Sequence, residues 1–292
     1  MNDPKQHSAA SEVDSLVERS ILDVGIPPCP ALLDRFMTEM NKEEPDYNRL
    51  AHIIGSDVSL SAGLIKAANS PFFGLRQRVK SGGEALAMLG LRNSSRVIAG
   101  IILRHSFQHV PNLERFWDAS ARISHISGWL ALHLNIRGLR PENAYTYGLF
   151  RDCGIPVLLG KFPTYAAVLD KANRDAEQSF IKIEEAELPS NHAIVGGMLA
   201  QSWWLPEEIC LAIRNHHDLA ELESDNSQLP MLSRRLVATA QLAEHIVQHL
   251  LGLSFTQEWT KLGAACLRLL NIEPEELEAL YVEAESILSA ED

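Results

Sequence analysis

The sequence has no two cysteines at the spacing of a metal or redox motif and no apolar run approaching the roughly 18–20 residues that span a bilayer. It also has no stretch of alternating apolar and polar residues that reads as a strand. Its four cysteines, Cys29, Cys153, Cys210 and Cys266, lie far apart, so neither a disulfide framework nor a cysteine zinc site is expected. They read as buried small hydrophobes. Basic charge is in short supply: 26 Lys and Arg face 38 Asp and Glu, a formal charge of −12. That balance excludes a protein whose main task is to coat nucleic acid or anionic membrane. No Gly-x-Ser-x-Gly, Walker or Gly-x-Gly-x-x-Gly segment occurs, which removes the usual signatures of nucleophilic hydrolases and nucleotide-binding loops. The polar stretch 1–14 has no apolar core of a signal peptide and is expected to be a disordered tail on a cytoplasmic protein.

What is present is helical periodicity nearly throughout, as in Leu32, Leu33, Phe36, Met37 and Met40, or Leu60, Leu64, Ile65 and Ala68. Helix starts are marked by Pro30, Asp46, Ser56-Asp57 and Ser81, and Gly90 ends the last of these short helices. Longer helices are expected over about Leu113–Leu134, from Pro141 to about Arg151, and after Pro163, with later starts near Ser190, Pro206 and Leu229. The acidic end of the chain keeps apolar spacing at Leu277, Leu280, Tyr281, Ala284 and Leu288, so it reads as an amphipathic helix. The expected architecture is all-α. A small N-terminal helical bundle over 15–110 packs on a larger multi-helix domain over 111–292, with the break near His109–Asn112.

Eleven histidines direct the search for chemistry, because neutral imidazoles and carboxylates on neighbouring helices build transition-metal sites. His105, His109, His133, His245 and His249 occur singly on helices and read as packing or surface residues, and His7 lies in the tail. His125, Asp152, His192, His216 and His217 stand apart. In the order His125, Arg151-Asp152-Cys153-Gly154, His192 and His216-His217 the sequence resembles the HD superfamily of metal-dependent phosphohydrolases. The segments Ile53-Ile54-Gly55-Ser56-Asp57, Asn69-Ser70-Pro71-Phe72-Phe73-Gly74, Leu89-Gly90-Leu91 and Trp203-Trp204-Leu205-Pro206 are similar to its degenerate relative, the HDOD family, over about Leu22–Gln248.

That resemblance implies an HD-like larger domain, a role in bacterial signal transduction and a ligand set drawn from His125, Asp152, His192, His216, His217 and Glu244. The departures bear on activity. Arg151 replaces the His of the His-Asp doublet, and a guanidinium has no lone pair for a metal. It can pair with Asp152 and supply the charge a metal would bring. Ile155 and the absence of Gly-Tyr-Pro after His216-His217 depart from the cyclic-dinucleotide phosphodiesterase pattern. The expectation is therefore a non-catalytic scaffold or output module without a cofactor, its polar residues forming a buried network around Arg151. Two alternatives stand beside it: a phosphohydrolase with an iron or zinc ion, and a nucleotide-sensing module.

A basic island interrupts the acidic chain: Arg76, Arg78, Lys80, Arg92 and Arg96 are opposed locally by Glu84 alone. It reads either as a solvated face or as a docking face for an acidic signalling partner, such as a receiver, kinase or cyclic-dinucleotide component. Without interleaved aromatics it is a poor nucleic-acid surface, and no membrane partner is expected.

Overall fold

The computed structural model describes residues 24–70, 78–224, 226–253 and 255–289. The expected tail at 1–14, Arg76 of the basic island and Phe72-Phe73 lie outside these residues. Among the described residues every regular element is a helix and no strand occurs.

The chain divides into two compact units. The smaller comprises Pro28–Pro111 together with Ser202–Leu205. Its helices are α1 (Ala31–Met40), α2 (Tyr47–Gly55), α3 (Val58–Ala68) and α4 (Gly82–Ser106). Side-chain caps fix three of the starts. Asp46 accepts from the amides of Asn48 and Arg49, Asp57 from Leu60, and Ser81 from Glu84, each satisfying a backbone donor that a helix start leaves open. The Asn69 side chain closes the loop after α3, donating to the Val79 carbonyl at 2.9 Å and accepting from its amide at 2.8 Å. Helix α4 is broken at Gly90, whose φ of 74° and ψ of 170° suit glycine and little else. By length and composition α4 could cross a membrane, a span that the sequence reading did not anticipate; 44% of its most apolar window is buried.

The larger unit comprises Asn112–Gln201 and the chain from Pro206 on, with residues 24–27. It contains α5 (Glu114–His133), α6 (Pro141–Phe150), α7 (Gly154–Lys161), α8 (Tyr165–Arg174), α9 (Phe180–Glu185), α10 (His192–Ser202), α11 (Glu207–Asn215), α12 (Leu219–Glu223), α13 (Met231–Leu251), α14 (Glu258–Leu270) and α15 (Leu277–Ser289). Helix α13 is the central strut: α5, α6, α11, α14 and α15 all pack on it. Its buried face runs Leu236, Ala240, Ala243 and Val247, the three- and four-residue spacing of a core stripe.

Two glycines set the spacing that matters for the site. A Cβ on Gly154 would collide with the His192 carbonyl, and one on Gly196 would stand 3.0 Å from the Gly154 amide and 3.3 Å from Cys153 Sγ. The start of α7 can therefore lie against the backbone of α10, which brings the turn carrying Asp152 beside His192. Cys153 is buried in this contact, its thiol 3.4 Å from the Gly196 carbonyl. Burial and the adjacent Asp152 push that thiol well above the ordinary range, so it is a packing residue.

Candidate metal centre

Asp152, in the turn between α6 and α7, faces three imidazoles. His192 opens α10, where Asn191 accepts from the Ile194 amide at 2.9 Å and anchors the helix start. His216 and His217 form the turn directly after α11. One donor atom from each of these four residues lies within 4.8 Å of the others. His192 Nε2 is 3.2 Å from His216 Nε2 and 3.1 Å from His217 Nε2. Asp152 Oδ1 is 3.2 Å from His216 Nε2 and 3.7 Å from His192 Nε2.

The other nitrogen of each ring is engaged by an acceptor. His192 Nδ1 lies 2.8 Å from Glu184 Oε2, His216 Nδ1 2.7 Å from the Ile213 carbonyl, and His217 Nδ1 2.5 Å from Glu258 Oε2. A carboxylate or carbonyl oxygen only accepts, so Nδ1 of each ring carries its proton. In the neutral ring Nε2 is then a bare lone pair, and three such lone pairs with a carboxylate oxygen converge on one point. Such a convergence of lone pairs is one that a cation can bridge.

Around the cluster Arg151 pairs with Asp152 and Glu244, Lys261 with Glu258, and Glu184 faces His192. Three imidazole nitrogens and one carboxylate oxygen form a donor set that suits zinc or iron, so these residues fit the metal that the HD resemblance implies. When bound, such an ion would supply Lewis acidity and an organising charge.

Arg151 does not point into this convergence. Its guanidinium bridges two carboxylates, with Nε and Nη2 donating to Asp152 Oδ2 at 3.1 and 3.0 Å and Nη2 to Glu244 Oε1 at 2.6 Å. Asp152 thus splits its oxygens, Oδ1 toward the imidazoles and Oδ2 toward Arg151. Burial works to raise the Asp152 carboxyl, but Arg151 and His216 outweigh it and hold it well below the usual range. Burial alone would lower His192; Glu184 and Asp152 reverse that and leave it raised. His217 is pushed down to about 3 by burial and by neighbouring His216, against the pull of Glu258. Glu258 itself is lowered to about 2, since His217 and Lys261 overcome its burial.

Asp152, His192 and His217 line a cleft of about 430 Å³ in the larger unit. Phe180 forms one wall, stacked on the His217 ring at 4.7 Å and edge-on to His192 at 5.1 Å. The exposed residues Arg115 and Phe255 also line it.

Of the residues singled out in the sequence, Asp152, His192, His216 and His217 come together. His125 does not join them: it lies against Tyr145 with ring centroids 5.3 Å apart, while α5 presents Ala119, Ser120 and Ile123 to the cleft. Two residues along a helix is a turn of about 200°, so His125 falls on the face away from Ile123. Glu244 lines the cleft but is bound to Arg151 and, through Oε2, to Gln241 Nε2 at 3.0 Å. The anchors Glu184 and Glu258 and the wall residue Phe180 were not singled out. Of the basic island, Arg78, Lys80 and Arg92 are exposed and Arg96 is partly buried.

An all-α unit that gathers His and Asp side chains from helix ends defines an HD-like protein. The chain belongs to the HDOD family, whose domain matches residues 26–219. A protein of Treponema pallidum (strain Nichols) is 24% identical over 228 residues, 78% of this chain and 43% of its own length, so the chain spans less than half of that relative. Among solved structures, a candidate phosphohydrolase of Shewanella amazonensis has the same fold at a TM-score of 0.68 and 19% identity, with 94% of each chain covered. An HDOD domain protein of Geobacter sulfurreducens aligns at a TM-score of 0.58 and 20% identity, over 91% of this chain and 98% of its own.

Proposed function

We propose that this HDOD protein is a non-hydrolytic signalling module whose larger unit holds a single divalent ion, zinc or iron, on Asp152, His192, His216 and His217. One observation carries the reading: the Arg151 guanidinium sits between Asp152 Oδ2 and Glu244 Oε1, so the charge beyond Asp152 is a fixed side chain and only the imidazole side is left for a metal. A two-metal clamp on both oxygens of a transferring phosphoryl group then has no second position. The ion's role is to hold the ends of α10 and α11 to the α6–α7 turn, and output passes through protein contacts. The exposed Arg78, Lys80 and Arg92 supply a docking face for an acidic signalling partner. The proposed compartment is the cytoplasm, in keeping with four cysteines that are all free thiols.

The competing reading is a one-metal phosphohydrolase, favoured by the cleft that opens onto Asp152, whose side chain is 21% exposed. Elemental analysis of untagged protein, paired with a hydrolysis assay on a generic aryl phosphodiester, separates the two. One ion per chain without turnover supports the proposal. Turnover that tracks metal loading establishes the hydrolase, and metal-free protein leaves a purely polar network.

A further inference from the structure

The three imidazoles are not anchored alike. His216 leans on a backbone carbonyl, whereas His192 and His217 each lean on a buried carboxylate from another helix, Glu184 on α9 and Glu258 at the start of α14. Those carboxylates differ in what holds their second oxygen. Glu184 Oε1 accepts from the buried Tyr165 hydroxyl at 2.5 Å, and Glu184 Oε2 also accepts from the His192 amide at 3.1 Å. Glu258 Oε1 is paired at 2.5 Å with the Lys261 ammonium. A neutral hydroxyl leaves a carboxylate its charge, while an ammonium cancels much of it.

We propose that Glu184 and Glu258 are unequal positioning residues for the metal centre: both fix a ligand imidazole with Nε2 directed inward, and Glu184 makes His192 the stronger donor of the two. The proposal rests on the reading that the cluster holds a metal. A carboxylate on the distal nitrogen of a ligand histidine fixes its tautomer and raises its basicity, and losing such a partner typically costs about 10–100-fold in metal affinity. Tyr165 acts one step further out, by holding Glu184 in place. Glutamine at 184 keeps an acceptor for Nδ1 but removes the charge; leucine removes both.

The test uses full-length protein stripped with a chelator and reloaded with Co²⁺, reading affinity by competition with a chromophoric chelator and the ligand field from the visible Co²⁺ spectrum. Glu184→Gln is expected to weaken Co²⁺ binding by about 10–100-fold and to shift the spectrum. Glu258→Gln should weaken it less, Tyr165→Phe least, and Glu184→Leu more than Glu184→Gln. Should Glu184→Leu fail to fold, the glutamine pair and Tyr165→Phe still decide the matter. Wild-type affinity and spectrum in both glutamine variants overturn the positioning role, and a larger loss in Glu258→Gln than in Glu184→Gln overturns the ranking. If wild-type protein binds no Co²⁺, it is the metal reading beneath the proposal that fails.

Discussion

Two groups of histidines in the larger unit begin from similar material and end differently. His245 and His249 sit four residues apart on α13, the spacing that lets two imidazoles on one helix face share a metal. In the structure they are packing residues. His245 stacks on Trp259 at 4.2 Å and 5° from parallel, His249 stacks on Tyr281 at 4.2 Å, and the Tyr281 hydroxyl lies 2.8 Å from His245 Nε2. His192, His216 and His217 have no such spacing, yet their Nε2 atoms meet. The difference lies behind the rings: an oxygen acceptor fixes the proton on Nδ1 in the second group, while aromatic faces and a neutral hydroxyl surround the first. A ligand set is made by its outer anchors as much as by the positions of its imidazoles.

The contrast can be broken at several points. The largest effect is expected from Arg151→Ala, which leaves the buried Glu244 facing the half-buried Asp152 without a counter-ion and costs about 3–5 kcal/mol in chemical denaturation. An unchanged midpoint would mean that Arg151 is not the counter-ion of this network. Chelation should lower the stability of the wild type by about 2.7 kcal/mol relative to protein held at free metal 100 times its Kd. His217→Ala should remove that difference and His249→Ala should keep it; equal behaviour of the two variants would erase the distinction between the groups. Gly154→Ala forces α7 off the backbone of α10 and is expected to cost about 1–3 kcal/mol, with metal content falling in parallel. The smallest effect belongs to the aromatic ladder, where Tyr281→Phe should cost about 0.5–1.5 kcal/mol with metal content intact.

Acid provides a second test of the ladder. Burial and then neighbouring His249 push His245 from 6.5 to about 4. Since the folded value lies below the unfolded one, the unfolded chain takes up the proton first on acidification. Stability contributed by neutral His245 is therefore present above pH 6.5 and lost as pH falls toward 4. His245→Phe keeps the stack on Trp259 and removes the titration, so the decline of Tm between those pH values should be shallower in the variant. An identical decline would place the acid sensitivity elsewhere.

Much of the cluster could be read in the chain because its residues lie at helix ends that carry their own punctuation: Asp152 after α6, His192 behind Asn191, and His216-His217 just after α11. The all-α class was legible for the same reason, from apolar spacing and from Asp46, Asp57 and Ser81 at helix starts. His125 was drawn in by order along the chain, which does not report the side of a helix; the angular offset from Ile123 turns it away. Glu244 was chosen as a carboxylate in range, and Arg151 claims it. Glu184 and Glu258 could not be told from other acidic residues, because their partners are 8 and 41 residues away and nothing local distinguishes them.

The span between His217 and Glu258 has a kinetic consequence. Glu258 lies beyond the stretch that matches the family domain, and Arg151 reaches the Ala240 carbonyl across 89 residues. Contacts of such separation require long loops to close, at a cost in chain entropy. Interactions absent from the folding transition state leave the folding rate nearly unchanged and act on the rate of unfolding. The proposed ion, where its contacts form after that transition state, would lengthen the lifetime of the folded chain and do little to hasten its formation.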